Sequence, residues 1–204
     1  EVYQAIGDDS VRRAFGEYFT GRHIISGVVP VFFARANVTN FSTDLKGKAI
    51  ADIACGTGGF LTETLRFSKR SFDLDDNELV SFAQSSFYGY DLSVSNASRA
   101  RVNMYFAGDG FSVIDGGVDS LATSTGRGPA GRQFDFILTN PPYGSSSEHH
   151  LIHEAFLSRT IDLLKPGGWA LIVLPTGTLE NPRSSTARFN LLQRASVTDV
   201  IALP

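Results

Sequence analysis

Ala49-Ile-Ala-Asp-Ile-Ala-Cys-Gly-Thr-Gly-Gly59 is the stretch of this chain that indicates its fold. The first six residues form a short, largely apolar run and predict a buried strand. Gly56 and Gly58 then permit a tight turn and let a ligand approach the backbone closely. A helix is predicted from Phe60 to about Phe67, with its apolar residues on one face. A strand, a glycine turn and a helix are together typical of the first unit of a doubly wound sheet.

Strand and helix signals alternate along the rest of the chain. Short apolar runs bounded by turn residues predict further strands at 87–91, 111–114, 134–138, 169–174 and 197–203. The spacing of apolar residues and the cap residues predict helices at 26–36, 93–105, 148–164 and 188–194, with Pro30 in the first turn of the helix at 26–36. This alternation predicts an α/β fold, a doubly wound and mostly parallel sheet with helices on both faces. The sheet looks unfinished after its sixth strand.

The composition suits one globular domain over residues 1–204. The chain has 204 residues, of which 42% are apolar and 19% charged, and its formal net charge is −3. A free-standing nucleic-acid binder is normally basic, so any such contact here is expected to be local or supplied by a partner. A single cysteine fits a reducing cytoplasm, and no leader or long apolar run predicts secretion or a membrane span.

Asn140-Pro-Pro-Tyr143 follows the predicted strand at 134–138. A proline offers no backbone N–H and forces the residue before it out of the helical region, so the strand has to end here. The Asn140 amide, the Pro141 carbonyl and the Tyr143 ring are thereby gathered at one sheet edge. Such a group can accept two hydrogen bonds from a planar amino group and stack on the ring that carries it. The alternative interpretation is a plain turn after a core strand.

Three further polar features carry weaker signals. Asp91 ends the second strand, where nucleotide-type folds use a carboxylate to hydrogen-bond ribose hydroxyls. Cys55 is interpreted as a small residue packed beneath a ligand loop rather than as a nucleophile, since no His–Asp pair accompanies it. The stretch 122–133 is rich in Gly, Ser and Thr and predicts a loop.

Two groups of residues could suggest a metal, and neither pattern is complete. Asp73, Asp75 and Asp76 lie in the polar stretch 68–86, which we interpret as a solvated insertion with one short helix around 78–84. Their spacing lacks the calcium-loop pattern. His149 and His153 lie four apart on a predicted helix but lack a third ligand, which favours a surface or packing role. We therefore predict no metal site.

Several blocks, taken in order, resemble the N6-adenine DNA methyltransferases, in particular the modification subunits of type I restriction systems. The blocks are Gly16-Glu-Tyr-Phe-Thr-Gly-Arg-His-Ile24, Asp52–Leu61, Asn140–Tyr143, Leu163–Pro175 and Val197–Pro204. Asn-Pro-Pro-Tyr also marks enzymes that methylate a glutamine amide in protein or an exocyclic amine in RNA. The block at 16–24 is more specific to the DNA branch, although Gly21 stands where the family usually has proline.

The resemblance implies a seven-stranded, Rossmann-like methyltransferase sheet, here lacking its last strand, and S-adenosylmethionine as cofactor. A helical cofactor-binding segment would span 1–40 and the α/β core 45–204, without a target-recognition domain. The methionine end of the cofactor would be wrapped by Glu17, Tyr18, Phe19, Thr20, Gly21 and Arg22. The glycine loop beneath it would be lined by Ala54, Cys55 and Gly56 and shaped by Asp52 and Gly58. Asp91 would hold the ribose, and Asp119, with Asp109 as its substitute, would lie near the adenine.

The implied activity is methylation of the exocyclic amine of a flipped-out adenine in double-stranded DNA, within a restriction-modification system. The catalytic residues would be Asn140, Pro141, Pro142 and Tyr143, with Tyr143 stacked on the base. The implied partners are DNA, a separate specificity subunit and a restriction subunit. Two alternatives stay open at this point: a protein-glutamine or RNA amine methyltransferase, and a non-catalytic scaffold of the same fold.

Overall fold

A computed structural model describes residues 20–109, 112–123, 128–144 and 151–203. The part of the predicted N-terminal segment before Thr20 lies outside these residues. The helices are α1 (Arg22–Arg35), α2 (Gly59–Phe72), α3 (Asp76–Ser86), α4 (Val94–Phe106), α5 (Ile152–Leu163), α6 (Gly177–Glu180) and α7 (Ser185–Arg194). The strands are β1 (Ile50–Asp52), β2 (Phe87–Asp91), β3 (Val113–Gly116), β4 (Phe134–Thr139) and β5 (Leu164–Ile172). A π-helical turn spans Phe41–Leu45, and a short 3-10 turn spans Pro182–Ser184.

The sheet has the order β3-β2-β1-β4-β5, and every pair of neighbouring strands is parallel. The chain therefore builds outward from β1 in one direction, through β2 and β3, and then returns to add β4 on the other side of β1. This confirms the predicted α/β, doubly wound sheet. The strand order reverses between β1 and β4. In open α/β sheets, ligands bind in the crevice at the carboxyl ends of the strands at such a point.

Apolar clusters lie on both faces of the sheet. One face packs against α1, α2, α3 and α4, and includes Ile50 and Phe136 from the strands. The other packs against α5, through Phe156 and Leu163, and includes Ala51 and Ile137. Neighbouring residues of β1 and of β4 thus point to opposite faces, as the pleat of a strand requires. The prediction of helices on both faces is confirmed.

The first helix begins earlier than its sequence predicts. It starts at Arg22, so Pro30 lies in its interior and the prediction of Pro30 in a first turn is wrong. Pro30 cannot donate the helical hydrogen bond to the carbonyl of Ser26. Ser26 is exposed, so water can satisfy that carbonyl. The helix survives because its inner face is deeply buried, through Ile25, Val29, Phe32 and Phe33.

The helix predicted around 78–84 is confirmed as part of α3, but residues 68–86 do not form a solvated loop, and that part of the prediction is wrong. Helix α2 continues to Phe72, and α3 then runs directly into β2. Apolar residues recur at helical spacing within this polar stretch and are buried: Leu74, Leu79, Phe82 and Ala83. The acidic residues serve the helices, since Asp75 caps α3 in a capping box with Glu78. Asp76 pairs with Lys69 of α2 at 2.8 Å.

Residues 197–203 do not pair with any strand among the described residues, so the predicted sixth strand is wrong here. Their apolar side chains are exposed, among them Val200 and Ile201. An alternating pattern forms a strand only where a neighbouring strand accepts its hydrogen bonds. The segment is instead tied to α1 by an ion pair between Asp199 and Arg35 at 3.1 Å. None of the described helices is long and apolar enough to cross a lipid bilayer.

Phe33 joins α1 to the rest of the core. Its ring stacks on Phe67 of α2 at 5.2 Å and meets Phe136 of β4 edge-on at 5.4 Å. We expect Phe33→Ala to lower the free energy of unfolding by roughly 3–5 kcal/mol, because it leaves a cavity among these rings. Urea denaturation measures this. Val31→Ala, on the exposed side of the same helix, is the matched control, and an equal loss in both variants would contradict the assignment.

Candidate functional site

The site lies at the crevice where β1 and β4 end side by side. The glycine turn 55–58 follows β1, and Asn140-Pro-Pro-Tyr143 follows β4. Ile50 pairs with Phe136 and Ala51 with Ile137, so the two segments leave the sheet at the same edge. The structure therefore brings together two motifs that are about 80 residues apart in the chain, as their common position after parallel strands requires.

The side chain of Asn140 is hydrogen-bonded at both ends. Its Nδ2 donates to the Thr20 hydroxyl at 2.8 Å, and its Oδ1 accepts from the Tyr143 hydroxyl at 2.7 Å. Asn140, Pro142 and Tyr143 are half-buried and Pro141 is buried. The amide is therefore fixed at a partly open position, which is what recognition of a planar amino group requires.

The ring of Tyr143 packs against the ring of His153. The two rings meet edge-to-face, with centroids 6.1 Å apart. Burial lowers the pKa of His153, so its ring is neutral near pH 7. This gives His153 the packing role that the sequence favoured. The other histidine of that pattern, His149, lies outside the described residues.

Backbone conformation explains the glycines of the turn after β1. Gly56 and Gly58 have φ of 53° and 81°, in the left-handed region that side chains rarely adopt. A Cβ on Gly58 would lie 3.1 Å from the Cβ of Ala100 on α4. The turn is closed by a hydrogen bond from Gly58 N–H to the Cys55 carbonyl at 2.7 Å. Glycine at these two positions therefore fits both the left-handed backbone and the close packing against α4.

Asp91 links the turn to the end of β2. Its carboxylate accepts from the Gly56 N–H and the Ser93 N–H, each at 2.8 Å. Burial raises the pKa of Asp91, and these two N–H groups oppose that change. Oδ1 also accepts from Asn96 Nδ2 at 3.5 Å, so the capacity for a ligand hydroxyl lies on Oδ2, which accepts only from Gly56 among the described hydrogen bonds. The predicted contact with ribose stays a prediction, and the geometry is compatible with it.

Asp119 and Asp109 lie at opposite ends of β3. Val118 donates to the Asp91 carbonyl at 3.1 Å, which places the exposed Asp119 at the carboxyl edge beside the site. Asp109 is buried before the amino end of the strand, where it accepts from the Ser112 N–H at 3.0 Å. Asp119 thus remains the candidate for a contact with the adenine of a cofactor. Asp109 is buried and its carboxylate binds the backbone of its own loop.

Arg159 of α5 holds the loop that carries Asp119, and sequence patterns did not identify it. Its guanidinium donates to the carbonyls of Ser120 and Ala122 at 2.8 and 2.9 Å. No local motif marks this role, because the arginine and the loop are almost 40 residues apart in the chain. Part of the predicted loop 122–133, namely residues 124–127, lies outside the described residues.

The remaining predicted cofactor residues lie in the N-terminal block 17–22 and in the glycine turn after β1. Glu17, Tyr18 and Phe19 lie outside the described residues, while Gly21 and Arg22 begin α1 next to Thr20. Ala54 donates its N–H to Asp52 at 3.1 Å. Burial, followed by the charges of Asp52 and Asp91, raises the pKa of Cys55 well above its ordinary value. Its thiol stays protonated near neutral pH, which is consistent with packing rather than nucleophilic attack.

Sequence comparisons add an independent finding. The profile of a protein family described as N-6 DNA Methylase matches residues 9–204. The methylase subunit of the type I restriction enzyme StySPI from Salmonella potsdam is 27% identical over 205 residues. The corresponding subunit of EcoKI from Escherichia coli K12 is 26% identical over 205 residues. Each alignment covers 93% of this chain and 37% of the relative, so this chain spans well under half of their length.

Structural comparisons also find type I modification subunits. A crystal structure described as a candidate type I modification subunit from Vibrio vulnificus YJ016 superposes with a TM-score of 0.69 and 26% identity. That alignment covers 93% of this chain and 40% of the other. The EcoKI M protein superposes with a TM-score of 0.64 and 22% identity, over 86% of this chain and 38% of the other, which supports the fold.

Asp52 makes the free energy of unfolding of the protein depend on pH. Burial raises its pKa from 3.8 to about 7, the nearby charge of Asp91 adds to this, and the Thr139 hydroxyl and Ala54 N–H oppose it. Between these pH values the folded chain keeps a proton that the unfolded chain has released. The free energy of unfolding therefore falls as pH rises from about 4 to about 7.

Asp52→Asn should remove this dependence, because an amide does not titrate. We expect the variant to gain on the order of 3 kcal/mol in free energy of unfolding over the wild type between about pH 4 and pH 8. Urea denaturation at both pH values measures the gain. Asp199→Asn, at an exposed ion pair, is the control. Equal pH slopes in wild type and Asp52→Asn would refute the buried, protonated carboxyl.

Proposed function

The chain belongs to the N-6 DNA methylase family, and on that premise we propose that it is the catalytic core of a DNA adenine N6-methyltransferase that uses S-adenosylmethionine. The observation that carries the proposal is the Asn140 amide, fixed by two hydrogen bonds at the carboxyl end of β4 and next to the glycine turn. A fixed amide oxygen beside a rigid proline carbonyl is suited to accept both N–H groups of an exocyclic amine.

The described residues fit the cofactor in three respects. Gly56 and Gly58 have no side chain, so no Cβ of these residues stands between the turn and a ligand. Asp91 stands at the edge of this turn, and its Oδ2 retains a lone pair for a ligand hydroxyl. Asp119 lies beyond it in an exposed loop that Arg159 holds. When bound, S-adenosylmethionine supplies a methyl group on a positively charged sulfur.

Positioning and fixed dipoles are the means by which this site acts. The lone pair of an adenine amine is delocalised into the ring and is a poor nucleophile. Asn140 Oδ1 and the Pro141 carbonyl accept hydrogen bonds from its two N–H groups. These bonds localise the lone pair on the nitrogen and direct it toward the methyl group. The protein needs no nucleophile of its own for this step, in keeping with the protonated thiol of Cys55.

Tyr143 is placed to hold the base itself. Its hydroxyl donates to Asn140 Oδ1. An adenine that enters the pocket adds to this bond or replaces it, and the ring of Tyr143 is then available to stack on the base. Such a base has to be flipped out of the duplex to reach a crevice of this kind.

The partners follow from the relatives and from the charge. The StySPI and EcoKI relatives are type I methylase subunits, and we propose that this chain likewise works in the cytoplasm with a specificity subunit and a restriction subunit. Its net charge of −3 supplies little attraction for phosphates. We therefore assign the choice of DNA sequence, and most phosphate contacts, to the specificity subunit.

Asn140→Ala removes one acceptor for the amine and leaves the cofactor contacts in place. We expect methyl transfer to fall by about 1,000-fold or more, as for loss of a fixed catalytic dipole, while cofactor affinity stays unchanged. Transfer of labelled methyl groups to genomic DNA of a strain lacking the enzyme measures the first, and calorimetry the second. Asn190→Ala, on the exposed face of α7, is the control. Full activity in Asn140→Ala would sink the assignment.

Asp91→Ala tests the cofactor end of the site. We expect cofactor affinity to fall by about tenfold or more, since a charged hydrogen-bond acceptor is lost. Calorimetry on the isolated chain measures the affinity, and circular dichroism checks that the variant remains folded. The control is Asp162→Ala on α5, an exposed carboxylate whose loss should leave the affinity unchanged. Equal affinities in Asp91→Ala and wild type would show that ribose is held elsewhere.

A further inference from the structure

Thr20 contacts the catalytic motif directly, although it lies 120 residues before it. Its hydroxyl oxygen is 2.8 Å from Asn140 Nδ2. We propose that Thr20 is a positioning residue that orients the Asn140 amide, so that Oδ1 faces the amine of the substrate. This role rests on the proposed function, and it assigns the Thr20 hydroxyl to Asn140 instead of to the cofactor contact that the family resemblance implies.

An asparagine amide needs such a partner because its two ends have nearly the same shape. If Nδ2 faced the amine, two sets of N–H donors would oppose each other and no hydrogen bond could form. A threonine hydroxyl can donate as well as accept. In the structure the Thr20 hydroxyl accepts from Nδ2 while the Tyr143 hydroxyl donates to Oδ1, and this pair of bonds holds the side chain in the productive orientation. Oδ1 has two lone pairs, so an amine can bind there beside Tyr143 or in its place while the bond to Thr20 persists.

The anchoring of α1 makes Thr20 a fixed reference point. The carbonyl of Gly21 accepts from the N–H groups of Ile24 and Ile25 at 2.9 and 3.2 Å, which ties the start of the helix down. Ile25 is buried and approaches Gly59 so closely that a Cβ there would lie 2.8 Å from its Cδ1. The helix that follows Thr20 is therefore pressed against the helix that follows the glycine turn.

The far end of α1 reaches the strand that carries Asn140. Phe33 and Phe32 both meet Phe136 of β4 edge-on, with ring centroids 5.4 and 6.1 Å apart. Thr20 and Asn140 thus lie on two elements that pack against each other through buried rings. This gives the hydrogen bond between them a rigid base, as an oriented catalytic group requires.

Thr20→Val is the decisive variant because it replaces the hydroxyl with a methyl group of similar size. Thr20→Ser keeps the hydroxyl and should behave like the wild type. Thr198→Val changes an exposed threonine outside the site and serves as the matched control. The three variants separate the loss of a hydrogen bond from a general effect of removing a threonine.

The first measurement is made on the isotope-labelled chain by NMR, without cofactor or DNA. The side-chain NH2 signals of Asn140 are identified by their absence from Asn140→Ala. We expect Thr20→Val to shift these signals toward those of a free amide and to speed their exchange with solvent about tenfold or more, as loss of a protecting hydrogen bond does. Signals that stay unchanged in Thr20→Val overturn the proposal, whatever the activity of the protein.

The second measurement separates kcat from cofactor affinity in the complex with its specificity subunit. We expect Thr20→Val to lower kcat by about tenfold or more at saturating cofactor, with unchanged cofactor Kd and with recovery in Thr20→Ser. A raised Kd with unchanged kcat would make Thr20 a cofactor contact and overturn the proposal. A wild-type complex that transfers no methyl group to DNA would instead refute the proposed function, while the NMR result would still decide the orientation of Asn140.

Discussion

The parallel pairing of β1 with β4 is the constraint on which the rest of this structure depends. The two strands are far apart in the chain, yet Ile50 pairs with Phe136 and Ala51 with Ile137. Because β2 already occupies the other side of β1, this pairing is the point where the strand order reverses. In open α/β sheets, the helices on either side leave a crevice at such a point, and both the glycine turn and Asn140 follow the strands that border it.

The buried carboxyl groups beside these two strand ends lower the stability of the fold. Asp52 and Asp91 lie close enough for their charges to interact, and burial raises the pKa of both carboxyl groups. Backbone N–H groups offset part of that cost, those of Gly56 and Ser93 for Asp91 and that of Ala54 for Asp52. A carboxyl that is easily neutralised and held by backbone donors costs stability, which is characteristic of functional sites rather than of cores.

The helix α1 connects the stability of the fold to the geometry of the site. Its aromatic rings pack on α2 and β4. Thr20, which lies just before its first residue, is hydrogen-bonded to Asn140. The sequence placed this segment among the cofactor contacts from a resemblance, but gave no indication of the bond to the amide. Arg159 is a similar case, since it holds the loop of Asp119 from a helix that carries no recognisable motif.

Local patterns alone predicted the elements whose geometry is set by neighbouring residues. The prolines after Asn140 end β4, left-handed glycines turn the chain after β1, and Ser93 caps α4 as expected. Predictions failed where burial or pairing decided. Leu79 and Phe82 make a core helix of a stretch that looked solvated, and residues 197–203 have a strand pattern without a strand partner.

The sequence by itself determined which chemical groups this protein carries: an amide, a proline carbonyl and a ring in one motif, and a carboxylate after β2. Those features are short-range, because proline, glycine and strand periodicity act on adjacent residues. Only the tertiary structure decided that Thr20 holds Nδ2 of Asn140 and that Arg159 holds the loop of Asp119. Such contacts join residues that strand pairing and helix packing bring together from distant parts of the chain, and no local pattern encodes them.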